Sequence, residues 1–87
     1  MQMKIALLKS FEKDFQKLPR EIQHQALKKL TYLKSYMGHP SLRTKKIKGY
    51  EYIWEGSINM SYRFTYHFEG DTLYLRRIGT HSILGTP

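Results

Sequence analysis

The chain of 87 residues contains no cysteine, which excludes a disulfide framework and any zinc site built on cysteine thiolates. It also has no apolar run close to the roughly 20 residues that a membrane-spanning helix needs. The first apolar segment is interrupted by Lys4 and does not form the core of a signal peptide. We therefore expect a soluble cytoplasmic protein without membrane contact. No histidine pair has the spacing of a zinc site, and we expect no cofactor or metal.

Acidic residues are scarce as well, since seven Asp and Glu stand against 15 Lys and Arg. The formal net charge is +8 and the isoelectric point is near 9.8. The cations are spread over both halves of the chain, with eight in residues 1–38 and seven in residues 39–87. Such a balance favours a polyanionic partner, namely nucleic acid, anionic lipid or an acidic protein.

The length and the 40% hydrophobic content predict one packed domain over residues 1–87. Met3 to Leu8 is typical of a strand, and Ser10 is a candidate N-cap for a short helix. Pro19 suits the first turn of a second helix. The apolar faces of the two helices are Phe11, Phe15 and Leu18 in the first and Ile22, Ala26, Leu30, Leu33 and Met37 in the second, which Gly38 and Pro40 should end.

The second half of the chain alternates with the period of β-strands. Strands are predicted over Ile53 to Met60, Tyr62 to Phe68 and Thr72 to Ile78, with a tight turn at residues 69–71. We therefore predict an α+β fold, an antiparallel sheet with an N-terminal helical hairpin on one face and the order β-α-α-β-β-β. The other face of the sheet is expected to be open and to present Arg63 and His67.

Several cations and rings are candidates for binding a polyanion. The run from Arg43 to Gly49 holds Arg43, Lys45, Lys46 and Lys48, which suit phosphate contacts or else a solvated loop. Trp54 suits either a core position or stacking on a nucleobase.

Arg63 and His81 are the candidates for chemistry. The Arg63 guanidinium suits a phosphate and equally an ion pair with an acid such as Glu55. His81 follows the last strand, where an imidazole can transfer a proton near neutral pH or lie idle in solvent.

The order of these pieces resembles the RelE/ParE superfamily, the toxins of type II toxin–antitoxin modules. The resemblance covers nearly the whole chain and is closest to the RelE, YoeB and YafQ branches. It is carried by Ile47-Lys48-Gly49, Trp54, Ile58, the strand Tyr62-Arg63-Phe64-Thr65-Tyr66, the turn Glu69-Gly70-Asp71, Leu73 to Leu75 and the ending Ile78-Gly79-Thr80-His81.

The resemblance implies a microbial-ribonuclease-like fold and a ribosome-dependent mRNA endonuclease that inhibits translation. In this class the RNA 2′-OH attacks the adjacent phosphate and leaves a 2′,3′-cyclic phosphate. It also implies a cognate antitoxin as partner, in a hetero-oligomeric toxin–antitoxin complex, besides the ribosome and its mRNA.

By the same resemblance, Arg63 matches the arginine that stabilises the phosphate and His81 matches a proton-transferring histidine. Lys46 and Lys48 are assigned to phosphate or ribosomal RNA contacts, with Arg77 as a further candidate. Among the departures, Trp54 and Gly56 stand where RelE has lysines, Lys45 stands where YoeB has an acid, and the aromatic residue that YoeB and YafQ carry after the histidine is missing.

These departures leave the general base unassigned, with His67 as a possible substitute, or His81 carrying both proton transfers. They also leave two other functions open. One is a ParE-like inhibitor that acts on DNA gyrase by contact alone, and the other is a catalytically degenerate relative that binds only antitoxin or RNA.

Overall fold

The computed structural model describes residues 4–35 and 39–87. A first strand, β1 (Lys4–Leu7), leads into two helices, α1 (Lys9–Lys17) and α2 (Arg20–Ser35). Strands β2 (Lys45–Lys46), β3 (Trp54–Ser57), β4 (Tyr62–Glu69) and β5 (Thr72–Thr80) follow. Short 3-10 helices cover Pro40–Leu42 and His81–Gly85. No helix of the described residues is long and apolar enough to cross a membrane.

The helical hairpin forms as predicted, because Pro19 interrupts the chain between the two amphipathic segments. The predicted N-cap at Ser10 is wrong, since Leu8 caps α1 and Ser10 lies inside the helix. The Ser10 hydroxyl instead donates to the backbone oxygen of Arg76 at 2.6 Å. The predicted core position Met37 and helix stop at Gly38 lie outside the described residues.

The sheet has five strands in the order β1-β5-β4-β3-β2. The α+β class is confirmed, and β3, β4 and β5 pair antiparallel as predicted. Two details differ from the prediction. First, β1 lies parallel to β5, because the two helices carry the chain across one face of the sheet between these strands. Second, the two residues of β2 pair with β3 and add a short fifth strand.

One face of the sheet packs against the helices. Phe64, Tyr66, Leu73, Leu75 and Ile78 are each no more than 2% exposed and meet Phe11, Ala26 and Leu33 from the helices. Phe68, predicted on the same face, lies at the rim and is 36% exposed. The strand alternation therefore placed this core correctly except at its end.

Helix α1 protects the part of β5 that β1 leaves unpaired. β1 pairs with β5 only from Thr72 to Leu75. Beyond that point the Ser10 hydroxyl donates a hydrogen bond to the Arg76 carbonyl. The Asp14 carboxylate accepts a hydrogen bond from the backbone N–H of Ile78 at 3.1 Å. These side chains satisfy backbone groups that would otherwise form an open edge.

The second face of the sheet is not open as predicted. The segment after β5 folds back over it, so that Ile83 is 5% exposed and Pro87 is buried. Thr65, in the middle of β4, is completely buried and donates its hydroxyl to the backbone oxygen of Pro87 at 3.1 Å. The segment after the last strand therefore covers the centre of this face and leaves its ends accessible.

Candidate active site

Arg63 lies on β4 between Ser57 of β3 and Gly79 of β5. Its Nη1 donates to the backbone oxygens of Asn59 and, at 3.1 Å, of Tyr62. Within the described ranges it makes no ion pair, so the alternative of a salt bridge to Glu55 is not what the structure shows. The remaining guanidinium donors are therefore available to an anion.

The turn that holds Arg63 is itself fixed by Asn59. The Asn59 Oδ1 accepts from the backbone N–H groups of Ser61 at 2.8 Å and Tyr62 at 2.9 Å. Its Nδ2 donates to Gln25 Oε1 of α2 at 2.7 Å. The helix therefore anchors the turn, and the turn orients the Arg63 side chain.

Arg63 lines a shallow pocket of about 320 Å³ beside this turn. Two further cations reach it, Lys29 from α2 and Arg43 from the loop after the first 3-10 helix, and the described lining contains no carboxylate. Arg43 adopts the left-handed conformation, with φ 48°, which non-glycine residues rarely take. Three cations converge here from three separate elements, an arrangement that suits a phosphate group.

His81 is the first residue of the C-terminal 3-10 helix and its side chain is exposed. It follows Thr80 directly, and Thr80 and Gly79 pair with Tyr62 and Arg63. The sheet register therefore places His81 at the same end of the sheet as Arg63, because His81 is two residues after Gly79, the β5 partner of Arg63.

The segment that follows His81 is held by hydrogen bonds from the loop between β2 and β3 and from strand β5. Tyr50 Oη donates to the backbone oxygen of Gly85 at 3.3 Å, and Arg76 Nε donates to that of Pro87 at 3.1 Å. Arg77 Nη1 donates to that of Thr86 at 3.2 Å. With buried Ile83, these bonds fix the 3-10 helix that begins at His81.

Arg77, predicted to contact RNA, is engaged inside the protein. Its Nε and Nη2 donate to the Asp14 carboxylate at 2.6 and 3.2 Å, and this hydrogen bond raises the pKa of Arg77 above its usual value. The Arg77 side chain is 30% exposed. The structure thus assigns it an ion pair that joins α1 to β5 and to the C-terminal segment.

His67 lies on the same face of β4 as Arg63 but four residues away, which is about 13 Å along a strand. Its Nδ1 is 2.9 Å from Arg76 Nη1, its Nε2 is 3.5 Å from Glu69 Oε1, and its ring stacks on Tyr74. The structure therefore does not bring His67 together with Arg63 and His81.

The predicted basic run forms an exposed surface along the other edge of the sheet. Lys45 and Lys46 are the two residues of β2, and Lys48 lies in the turn that follows. All three lysine side chains are exposed. Ile47, which lies between Lys46 and Lys48, is buried and fixes this segment to the protein. These cations are available to a polyanion, whereas Arg43 belongs to the pocket beside Arg63.

Trp54 packs on the core, since it is half-buried and its ring lies 6.4 Å from that of Tyr66. Lys46 Nζ lies 5.5 Å from the centre of the Trp54 ring, a cation–π arrangement. Among the nearby tyrosines, Tyr52 is 76% exposed, whereas the Tyr50 hydroxyl donates to the backbone oxygen of Gly85 and the Tyr74 ring stacks on His67.

Two members of the site, Lys29 and Asn59, could not be recognised from the sequence. Lys29 lies among the many cations of a solvated helix, and Asn59 is an ordinary turn residue until its contact with α2 is seen. The described residues contain no group of three or more His, Cys, Asp or Glu side chains that could hold a metal ion.

No protein-family model matches the chain. No curated protein matches it either. Solved structures do match over nearly the whole length. The toxin–antitoxin complex DinJ–YafQ of E. coli matches 97% of this chain and 98% of that chain, with a TM-score of 0.80 and 16% identity.

Two other matches extend the comparison. The RelB–RelE antitoxin–toxin complex of Methanococcus jannaschii gives a TM-score of 0.74 with 23% identity, over 93% of this chain and 95% of that chain. A YoeB/ParE toxin of Agrobacterium tumefaciens gives a TM-score of 0.76 with 19% identity, over 91% of this chain and 99% of that chain. The chain therefore has the fold of the RelE, YoeB and YafQ toxins, and the resemblance to the RelE/ParE superfamily is confirmed at the level of the fold.

Proposed function

We propose that this chain is the toxin of a type II toxin–antitoxin system and that it inhibits translation by cleaving mRNA on the ribosome. The observation that supports the proposal is the sheet register, which puts Arg63 and the start of the segment at His81 at one end of the sheet, where Arg63 has donors left for an anion and His81 is exposed. We infer that a phosphate held by Arg63 is presented to the His81 imidazole, which can move a proton.

Cleavage through the RNA's own 2′-OH requires three functions. The 2′-OH must lose its proton, the extra negative charge on the phosphate must be stabilised, and the leaving 5′-oxygen must gain a proton. We assign charge stabilisation to Arg63, assisted by Arg43 and Lys29 in the same pocket. We assign protonation of the 5′-oxygen to His81. DNA is not a substrate of this reaction, because it has no 2′-OH.

The exposed cations of β2 and the following turn fit contacts with the RNA backbone. Lys45, Lys46 and Lys48 lie on a surface separate from the Arg63 pocket, and the net charge of +8 favours an RNA-rich target such as the ribosome. We propose that these lysines bind ribosomal RNA or mRNA phosphates without taking part in the chemistry.

We also propose a cognate antitoxin as partner in a hetero-oligomeric complex in the cytoplasm. Two of the structures that share this fold are complexes of a toxin with its antitoxin. An antitoxin with an acidic segment would be attracted to the basic surface of this chain.

The test is cell-free translation of a defined message in the presence of the protein, with mapping of the 5′ ends of the mRNA. We expect new ends inside codons, on translated message only. Arg63→Ala and His81→Ala should each lower cleavage by about 10²-fold or more. His24→Ala is the matched control, because His24 is an exposed histidine on α2 remote from Arg63 in the sequence and absent from its pocket.

Three results would contradict the proposal. Message that stays intact while translation continues would exclude the endonuclease and leave gyrase inhibition, checked by a supercoiling assay, or antitoxin binding alone. Cleavage of untranslated message would exclude dependence on the ribosome. Full activity of both variants would exclude the assigned residues.

A further inference from the structure

Glu55 is a buried acid for which the described part of the chain supplies no hydrogen-bond or ion-pair partner. It lies on β3 and is 7% exposed, yet it makes no hydrogen bond or ion pair with any residue of 4–35 or 39–87. No fully enclosed polar side-chain atom in these ranges lacks a hydrogen-bond partner. The Glu55 carboxylate must therefore retain some contact with solvent.

Burying a carboxylate without hydrogen bonds is costly, so the position of Glu55 needs an explanation. Residues opposite each other in an antiparallel pair project from the same face of the sheet, so Glu55 shares the face of its partners Lys45 and Thr65. Arg63 lies two residues before Thr65 on β4 and projects from that face too. Glu55 and Arg63 are therefore diagonal neighbours on adjacent strands, and the backbone positions of such neighbours are about 7–8 Å apart.

The order of the strands places Arg63 between the acid and the histidine. β4, which carries Arg63, has β3 with Glu55 on one side and β5, followed by His81, on the other. In an in-line displacement the attacking and leaving oxygens lie on opposite sides of the phosphorus. A base on one side of Arg63 and an acid on the other match that requirement.

We propose that Glu55 is the general base of the cleavage reaction, an inference that rests on the proposed ribonuclease function. The Glu55 carboxylate takes the proton of the 2′-OH as the 2′-oxygen forms its bond to phosphorus. The bond between phosphorus and the 5′-oxygen breaks, and protonated His81 gives its proton to that oxygen. The products are a 2′,3′-cyclic phosphate and a free 5′-OH, and exchange with water restores both side chains.

This assignment replaces His67 as the candidate base. The His67 ring is already engaged by Arg76, Glu69 and Tyr74, and it lies about 13 Å from Arg63 along the strand. Glu55 is nearer to Arg63 and its carboxylate has no such engagement.

The test measures single-turnover cleavage of a ribosome-bound message by wild type, Glu55→Gln, His81→Ala and His67→Gln. Each protein acts on a normal substrate and on one whose scissile 5′-oxygen is replaced by sulfur. A thiolate leaves without protonation, so this substrate no longer needs the acid but still needs the base. Glu51→Gln is the matched control, because Glu51 is an exposed acid of the neighbouring loop.

We expect Glu55→Gln to slow cleavage of the normal substrate about 10²- to 10⁴-fold and to remain slow on the sulfur substrate. His81→Ala should be slow on the normal substrate and recover on the sulfur substrate. Glu51→Gln and His67→Gln should match wild type. If Glu55→Gln fails to fold, as judged by thermal unfolding, Glu55→Asp keeps the carboxylate at a shorter reach and should show a reduced rate with the fold intact.

The outcomes separate this inference from the function on which it rests. Wild-type cleavage together with full activity of Glu55→Gln would overturn the role of Glu55 and leave the ribonuclease function standing. Recovery of Glu55→Gln on the sulfur substrate would show that Glu55 serves the leaving group and would also overturn it. Failure of wild type to cleave either substrate would overturn the proposed function and this inference together.

Discussion

Replacement of Gly56 by alanine tests how closely β3 and β4 are packed. Gly56 pairs with Phe64, and a Cβ atom added at Gly56 would lie 2.3 Å from Phe64 Cζ and 2.5 Å from Cε1. The Phe64 ring is completely buried and stacks on Tyr66 at 5.7 Å, so it cannot move outward without displacing its neighbours. One methyl group therefore overpacks the core at this position.

Overpacking a filled core by a methyl group costs about 1–3 kcal/mol. For a domain of this size each kcal/mol lowers the melting temperature by about 4–8 °C. We therefore expect Gly56→Ala to melt roughly 5–20 °C below wild type in thermal unfolding followed by circular dichroism.

Gly85→Ala is the control for Gly56→Ala, because a Cβ at Gly85 meets no atom within 4 Å and should leave the melting temperature nearly unchanged. Adding Phe64→Leu to Gly56→Ala removes the ring atoms that clash, so the second change should cost less in the Gly56→Ala background than in wild type. Equal melting temperatures for Gly56→Ala and Gly85→Ala would refute this account of the packing.

Two further predictions concern Asp14, which is partly buried, and Tyr66, which is buried. Asp14→Asn should lower the free energy of unfolding by about 1–3 kcal/mol, measured by urea denaturation, because Asp14 binds both the Arg77 guanidinium and the backbone N–H of Ile78; an unchanged urea midpoint would contradict it. Burial raises the pKa of Tyr66 to about 12, against an opposing hydrogen bond with Thr44. The unfolded chain then loses this proton first, so the contribution is complete below pH 10 and roughly 2 kcal/mol of stability should disappear between pH 10 and 12. Tyr66→Phe should remove that part of the pH dependence, and an unchanged slope in this range would refute it.

The helices, the core and three of the strands could be predicted from periodicity alone. Phe11, Ala26 and Leu33 recur at helical spacing and are buried, and Phe64 and Tyr66 alternate along β4 as buried side chains. Burial of one apolar face is a local consequence of the order of residues, so it can be read from neighbours in the chain.

Partners that are distant in the sequence could not be predicted. Arg77 was assigned to RNA because its charge is visible in the sequence, whereas its ion pair with Asp14 joins residues 63 positions apart. The sequence does not distinguish a core from a surface position for Trp54 for the same reason, since its burial depends on Tyr66 across the β3–β4 pair.

The features of the candidate site are likewise of two kinds, those that the sequence determines and those that depend on the tertiary structure. The sequence by itself determined that Arg63 and His81 are present, that the chain is strongly basic, and that one strand face carries Arg63. Only the tertiary structure decided that the C-terminal segment covers Thr65, that Lys29 and Arg43 join Arg63, and that Glu55 is buried on β3 beside β4. The physical reason is that charge and periodicity are properties of single segments, whereas burial and hydrogen bonding depend on which segments the fold brings together.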